Sequence, residues 1–235
     1  MAAIAAGRYG GHTSSRPGLI IFDCDGVLVD SEPLAMRVLL EGIAARGVEI
    51  DEALAYERLL GRSLASVIET VQRDFGVALE RDSLEQMREQ LYVLFRQELR
   101  AISGIAEALE KLTIPVCVAS SSQLERIRLS LQLTGLGVRF GDNIFSASMV
   151  AEGKPAPDLF LLAASRMRVT PDRCIVIEDS PAGIEAARRA GMRVFAFTGG
   201  SHARSPAHRE RLEALAPDAV FDNMARLPEL IASEA

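Results

Sequence analysis

Long apolar runs are missing from this 235-residue sequence, and so is any stretch of concentrated basic charge. No segment approaches the roughly 18 uninterrupted apolar residues needed to cross a bilayer. Residues 1–17 (MAAIAAGRYGGHTSSRP) also lack the apolar centre of a secretion signal. The expectation is a cytoplasmic protein with no membrane partner. The formal net charge is −6, with acids spread along the chain, so no basic stripe is available to neutralise a nucleic-acid backbone. Cysteine is scarce and odd in number. Cys24, Cys117 and Cys174 each lie within or against an apolar run that reads as a buried strand, which predicts reduced, structural thiols. There is no internal repeat, and no low-complexity segment beyond the first seventeen residues. From Ser31 to Arg100 there is no lysine at all.

What is present is the balance of a folding chain: 49% of residues are hydrophobic and 25% charged, unlike a disordered or fibrous sequence. The length allows one substantial core and a smaller appendage. Residues 1–17 read as a disordered tail ending at Pro17. Gly18-Leu-Ile-Ile-Phe22 is a short apolar run stopped by Asp23-Cys-Asp-Gly26, a buried strand followed by a turn. From about Ser31 to Arg100 the apolar spacing becomes helical, with Leu34, Val38, Leu39 and Ile43, then Leu84, Met87, Leu91 and Leu94. Beyond it, Ile114–Ala119, Cys174–Ile177 and Arg193–Phe197 are β-rich runs between helical stretches, and Ala219–Phe221 is a further short strand. This alternation predicts an α/β protein, a Rossmann-like parallel sheet with helices on both faces and an all-helical domain inserted after the first strand. The predicted division is 18–31 with 101–235 as the α/β core, and 32–100 as the helical insert.

Asp23 with Asp25, Ser120, Lys154, and Glu178 with Asp179 all fall at or just beyond a predicted strand end or in a nearby loop. In open α/β sheets ligands bind outside the carboxyl ends of the strands, so these groups are placed to converge. Taken singly each has an ordinary structural explanation as a turn or a helix cap. Together, four carboxylates need a cation to offset their repulsion, and an all-oxygen environment beside phosphate suits Mg²⁺. A lysine and a hydroxyl beside such a site point to phosphoryl transfer.

The sequence resembles the haloacid dehalogenase superfamily, in its phosphatase and phosphomutase branch related to β-phosphoglucomutase. The resemblance runs from about Leu19 to Pro228. It rests on four ordered motifs: Phe22-Asp-Cys-Asp-Gly-Val-Leu-Val-Asp30, Val118-Ala-Ser120, Gly153-Lys-Pro-Ala-Pro-Asp158 and Val176-Ile-Glu-Asp-Ser-Pro-Ala-Gly-Ile184. It implies that Asp23 attacks phosphorus to form an aspartyl-phosphate and that Asp25 serves as general acid and then base. Ser120, Ser121 and Lys154 would hold the phosphoryl oxygens. Mg²⁺ would be bound by the Asp23 carboxylate, the Asp25 carbonyl, Asp179 and, directly or through water, Glu178. The insert resembles the family's cap, with Arg62 and Glu32 as substrate contacts.

The implied activity is hydrolysis of a small phosphorylated metabolite, a sugar phosphate or sugar-acid phosphate, by a monomer or weak homo-oligomer. The nearest alternative is a sugar phosphomutase. In β-phosphoglucomutases a histidine follows the first motif where this chain has Ala35, and the cap lysine of those enzymes is missing, which favours transfer to water. A dehalogenase would not keep an acid at Asp25, and a phosphonate-cleaving enzyme would need a cap amine. A phospho-accepting receiver module lacks both the insert and an acid two residues after its acceptor. An EF-hand fails on spacing, with Gly26 fourth and Leu34 twelfth from Asp23.

Overall fold

Six parallel strands form the centre of the protein, in the order β3-β2-β1-β4-β5-β6, with β1 Leu19–Phe22, β2 Val116–Ser120, β3 Ile144–Ser146, β4 Cys174–Glu178, β5 Arg193–Phe197 and β6 Ala219–Phe221. The structure is a computed structural model that describes residues 16–59, 64–204 and 206–233. The first strand lies in the middle of the later ones: Ile20 is level with Val116 on one side and with Ile175 on the other. The chain builds outward through β2 and β3, then returns to the other side of β1 for β4, β5 and β6. The strand order therefore reverses between β1 and β4, and in open α/β sheets it is beyond the carboxyl ends of such a pair that ligands bind.

The uninterrupted apolar runs are explained by burial on both faces. Ile20, Phe22, Val118 and Ile177 point to one face, and Leu19, Ile21, Cys117 and Val176 to the other. The first face is covered by α5 Ile105–Lys111, α6 Leu124–Leu133, α7 Gly137–Phe140 and α11 Leu227–Ser233. The second is covered by α8 Asp158–Arg166, α9 Pro181–Arg189 and α10 Pro206–Ala214. Each large side chain fully buried there contributes about 1.5–3 kcal/mol. Phe22 meets Phe140 edge to face, with centroids 6.1 Å apart.

Between β1 and β2 the chain forms α1 Glu32–Ala44, α2 Glu52–Leu59, α3 Leu64–Phe75 and α4 Arg81–Glu98, with no named strand among the described residues of this stretch. The α1 sequence is apolar on two sides. Leu34 and Val38, one turn apart, join the core on the sheet together with Leu91 and Phe95 of α4. Met36 and Ile43 instead join Ala55, Leu59, Val67, Val71, Val77 and Leu79 in a separate cluster made by the insert alone. The insert leaves and re-enters the core at one place. The Asp30 amide donates to the Arg100 carbonyl at 3.0 Å, the Ile102 amide donates to the Leu28 carbonyl at 2.9 Å, and Val29 bridges Ala101 in antiparallel fashion.

Two features differ from the sequence expectation. Strand β3 is additional, a three-residue edge strand. At the start of the chain, Arg16 and Pro17 are not part of a loose tail: Pro17 is buried, and Arg173 Nε donates to the Arg16 carbonyl at 3.2 Å. Residues 1–15 lie outside the described residues.

Candidate active site

Asp23 is the first residue past β1. Its amide still donates to the Ile177 carbonyl of β4 at 3.0 Å, so the sheet itself fixes its position. Lys154, from the loop before α8, reaches across β2. Its Nζ donates to Asp23 Oδ1 at 2.6 Å, to Glu178 Oε1 at 2.7 Å and to the Ala119 carbonyl at 2.9 Å, 4.8 Å from the centre of the Phe160 ring. One buried ammonium thus ties together the ends of β1, β2 and β4. The carboxylates on either side hold its pKa above the usual lysine value although burial works against the charge.

Glu178 is held through both oxygens by protein donors. Besides Lys154 on Oε1, its Oε2 accepts from the Asp179 amide, the Ser180 amide and the Ser180 hydroxyl, each at 2.9 Å. Gly183 makes room for it, since a Cβ at that position would lie 1.8 Å from Glu178 Oε1. Both oxygens of Glu178, expected from the sequence to help hold a metal directly or through water, already accept from the protein, Oε1 from Lys154 alone, and these contacts orient Lys154 and the start of α9.

Asp25 occupies a separate polar nest. Ser31 Oγ donates to Oδ1 at 2.5 Å, Arg126 Nη2 to Oδ1 at 2.7 Å and Ser122 Oγ to Oδ2 at 2.6 Å, with Ser120 Oγ at a marginal 3.5 Å from Oδ2. Arg126 comes from the first turn of α6 and rests over the Phe95 ring of α4. Burial pushes the Asp25 carboxyl up, but Arg126 and the serine hydroxyls outweigh it and hold the pKa below the usual range. Asp23 goes the other way. Burial raises it most; Lys154 lowers it, but Glu178, Asp179 and Asp25 raise it further, leaving it well above the usual carboxylate value. The two neighbouring carboxyls are thus pushed in opposite directions. The reason is charge density, with four acids close together and Lys154 serving two of them.

That excess of negative charge is what a divalent cation would offset. Among the described residues no three His, Cys, Asp or Glu side chains already form a cation cage. Mg²⁺ does not need one, since it keeps several waters and takes one or two carboxylates plus substrate phosphate. Asp23 Oδ2 and Asp179 Oδ1 have no protein donor among the described residues, which leaves one hard oxygen on each of two neighbouring loops. The donor set fits the ion.

Gly26 shapes the turn between these groups. Its φ of +81° is readily adopted only by glycine, and a Cβ there would lie 1.9 Å from Asp179 Oδ2. Cys24, between the two aspartates, is buried, and its thiol is pushed well up by burial and then by the carboxylates on either side.

The structure therefore gathers Asp23, Asp25, Ser120, Lys154, Glu178 and Asp179 at one end of the sheet. Ser121 is not among them: it is exposed, and the neighbouring Ser122 faces Asp25 instead. Glu32, at the start of α1, lies in the field of Asp25, His202, Arg126 and Asp179, and its carboxyl is pushed up to about 7, by burial first and Asp25 second. Arg62 lies outside the described residues. Sequence reading missed Ser31, Ser122, Arg126 and His202. His202, from the loop after β5, places Nε2 2.8 Å from Asp179 Oδ2 in an ion-pair contact that falls short of hydrogen-bond alignment. Burial lowers its pKa most, but Asp179 and then Glu32 and Asp30 more than offset that and hold it above the usual histidine value. The one signal that pointed to it was its place after a parallel strand, on the same edge as the other groups.

Comparison with known proteins gives a concordant picture. A haloacid dehalogenase-like hydrolase family model matches residues 17–191. The 6-phosphogluconate phosphatase of Escherichia coli is 32% identical over 92% of this chain and 95% of its own length. A fructose-1-phosphate phosphatase of the same organism is 35% identical over 74% of this chain and 92% of its own length. Among solved structures, a conserved haloacid dehalogenase-like protein of unknown function from Agrobacterium tumefaciens superposes with a TM-score of 0.82 at 38% identity, covering 92% of this chain and 98% of its own.

Proposed function

Since this chain belongs to the haloacid dehalogenase-like hydrolases and is a phosphatase of that family, we propose that it hydrolyses the phosphate ester of a sugar or sugar acid through an aspartyl-phosphate on Asp23. The observation that carries this reading is Lys154 Nζ, on a buried side chain and 2.6 Å from Asp23 Oδ1, with Asp23 Oδ2 left without a protein donor among the described residues. A carboxylate fixed through one oxygen and open at the other is a positioned nucleophile.

In the proposed reaction an Asp23 oxygen attacks phosphorus and the ester oxygen leaves, taking a proton from Asp25. A water then attacks phosphorus, Asp25 takes a proton from it, and inorganic phosphate departs with Asp23 regenerated. To act as the acid, Asp25 has to gain a proton and loosen its contacts with Arg126, Ser31 and Ser122. Lys154 and Ser120 neutralise and orient the phosphoryl oxygens, and Glu178 acts by holding Lys154. Asp23, Asp179 and the Asp25 carbonyl would hold Mg²⁺, which would supply positive charge to lower the repulsion between nucleophile and phosphate. The insert serves as the cap that excludes water, with Glu32 at its entry toward the substrate.

The assignment is tested by phosphate release across a panel of sugar and sugar-acid phosphates. Turnover is expected with Mg²⁺, is lost in excess chelator, and falls below a few per cent in Asp23→Ala. A chelator-resistant rate, or an active Asp23→Ala, overturns the mechanism. Ala35, a methyl where mutases place a histidine, favours water as acceptor. Given β-glucose 1-phosphate and a trace of the bisphosphate, the protein is expected to release phosphate or do nothing. Conversion to glucose 6-phosphate would make it a mutase.

A further inference from the structure

Two histidines converge on Asp179 from the segment after β5. His208 Nε2 is 2.9 Å from the Asp179 carbonyl oxygen, and His202 Nε2 is 2.8 Å from its carboxylate Oδ2. The two rings meet edge to face, with centroids 5.5 Å apart. The His202 ring fills a slot between two glycines from different parts of the chain. A Cβ on Gly26 would lie 2.6 Å from its Cε1, and a Cβ on Gly200 would lie 2.6 Å from Cε1 and 2.7 Å from Nδ1. The loop that carries it is clipped to the first motif, because the Ser201 amide donates to Asp30 Oδ1 at 3.1 Å and the Ser201 hydroxyl donates to Oδ2. His202 is buried, and among the described residues neither ring nitrogen has a hydrogen-bonding protein partner.

We infer that His202 is a positioning residue for the metal site. By holding Asp179 Oδ2 against the Gly26 turn, it keeps Oδ1 directed at the cation. This deepens the phosphatase reading and rests on Asp179 being a ligand. Carboxylate ligands are commonly oriented by such outer contacts, and losing one weakens metal affinity about 10–100-fold. The slot explains how a side chain can come this close to Asp179, since the backbones at Gly26 and Gly200 carry no side chains of their own.

The test is Mn²⁺ binding to the full chain without substrate, read as free-ion signal by electron paramagnetic resonance. His202→Phe keeps the slot filled and removes the polar contact; about 10–100-fold weaker binding is expected. His202→Gln, whose amide can still reach Asp179, is expected to recover most of the affinity. Thermal midpoints in chelator check folding, and if His202→Phe does not fold, His202→Ala is read in its place. Unchanged or tighter binding in the variant overturns the inference, as does a Gln variant no better than Phe. A wild-type chain that binds no Mn²⁺ overturns it too. The phosphatase reading fails separately, through absence of phosphate release by a wild-type chain that does bind the ion.

Discussion

Lys154→Met is the perturbation that most directly tests how this site is held together. Methionine has nearly the volume of lysine, so packing against Phe160 is kept while the ammonium and its contacts to Asp23, Glu178 and the Ala119 carbonyl are lost. Breaking a buried ion pair by removing one partner costs about 3–5 kcal/mol, because the remaining charge is left uncompensated. Glu178 keeps three donors from Asp179 and Ser180, so most of the penalty falls on Asp23 and the lower figure applies, about 3 kcal/mol. For a chain of this size that lowers the thermal midpoint by roughly 6–12 °C. Urea unfolding in chelator at pH 7.5 measures it. A double-mutant cycle identifies the cause: Asp23→Asn, which removes a carboxyl already pushed well up by burial and neighbouring acids, stabilises Lys154→Met more than it stabilises the wild type, where Lys154 still pairs with it. A loss below about 1 kcal/mol, or strict additivity of the two substitutions, would refute the electrostatic argument.

Two further outcomes follow from the same geometry. In Gly183→Ala the new methyl would lie 1.8 Å from Glu178 Oε1, so Glu178 must swing away and release Lys154; a loss of about 1–3 kcal/mol in urea unfolding is expected, and unchanged stability would contradict it. Glu32, held up to about 7 against an ordinary value of 4.5, keeps a proton in the folded chain that the unfolded chain has lost. The stability this gives is fully present below pH 4.5 and is lost as pH rises through 7. Glu32→Gln should therefore match the wild type in acid and exceed it by at most about 3 kcal/mol at pH 8 in chelator, where equal stabilities would refute the shift.

The strands flanking the site were legible because parallel strands buried on both faces carry unbroken apolar runs, as at Cys174–Ile177 and Arg193–Phe197. Strand β3 was not, since Ile144-Phe145-Ser146 offers only two apolar residues in a row, whereas the equally short Ala219-Val220-Phe221 is apolar throughout. The site residues placed by motif were found where a strand ends, because chain direction alone brings those ends to one edge. Their partners depend on how loops turn. Ser121 and Ser122 look equivalent in sequence, and only the turn after β2 decides that the second faces Asp25. Arg126 is one arginine among many on helices, and its selection depends on α4 packing against α6 so that the Phe95 ring lies beneath its guanidinium. Nothing in the spacing of His202 marks it, because its partner lies in a different motif.

The paired entry and exit of the helical insert bear on how this protein can change. Residues 30 and 100 are already hydrogen-bonded neighbours, so to the sheet everything between them is a side loop whose ends touch. Such a loop can lengthen, shorten or be exchanged for another fold without restringing a strand or shifting Asp23, and its closure entropy grows only slowly with length. On the reading proposed above, the residues assigned to the chemistry lie outside this side loop, so a laboratory could graft a different insert at Val29 and Ala101, provided it replaces the cover that Leu34, Val38, Leu91 and Phe95 give the sheet.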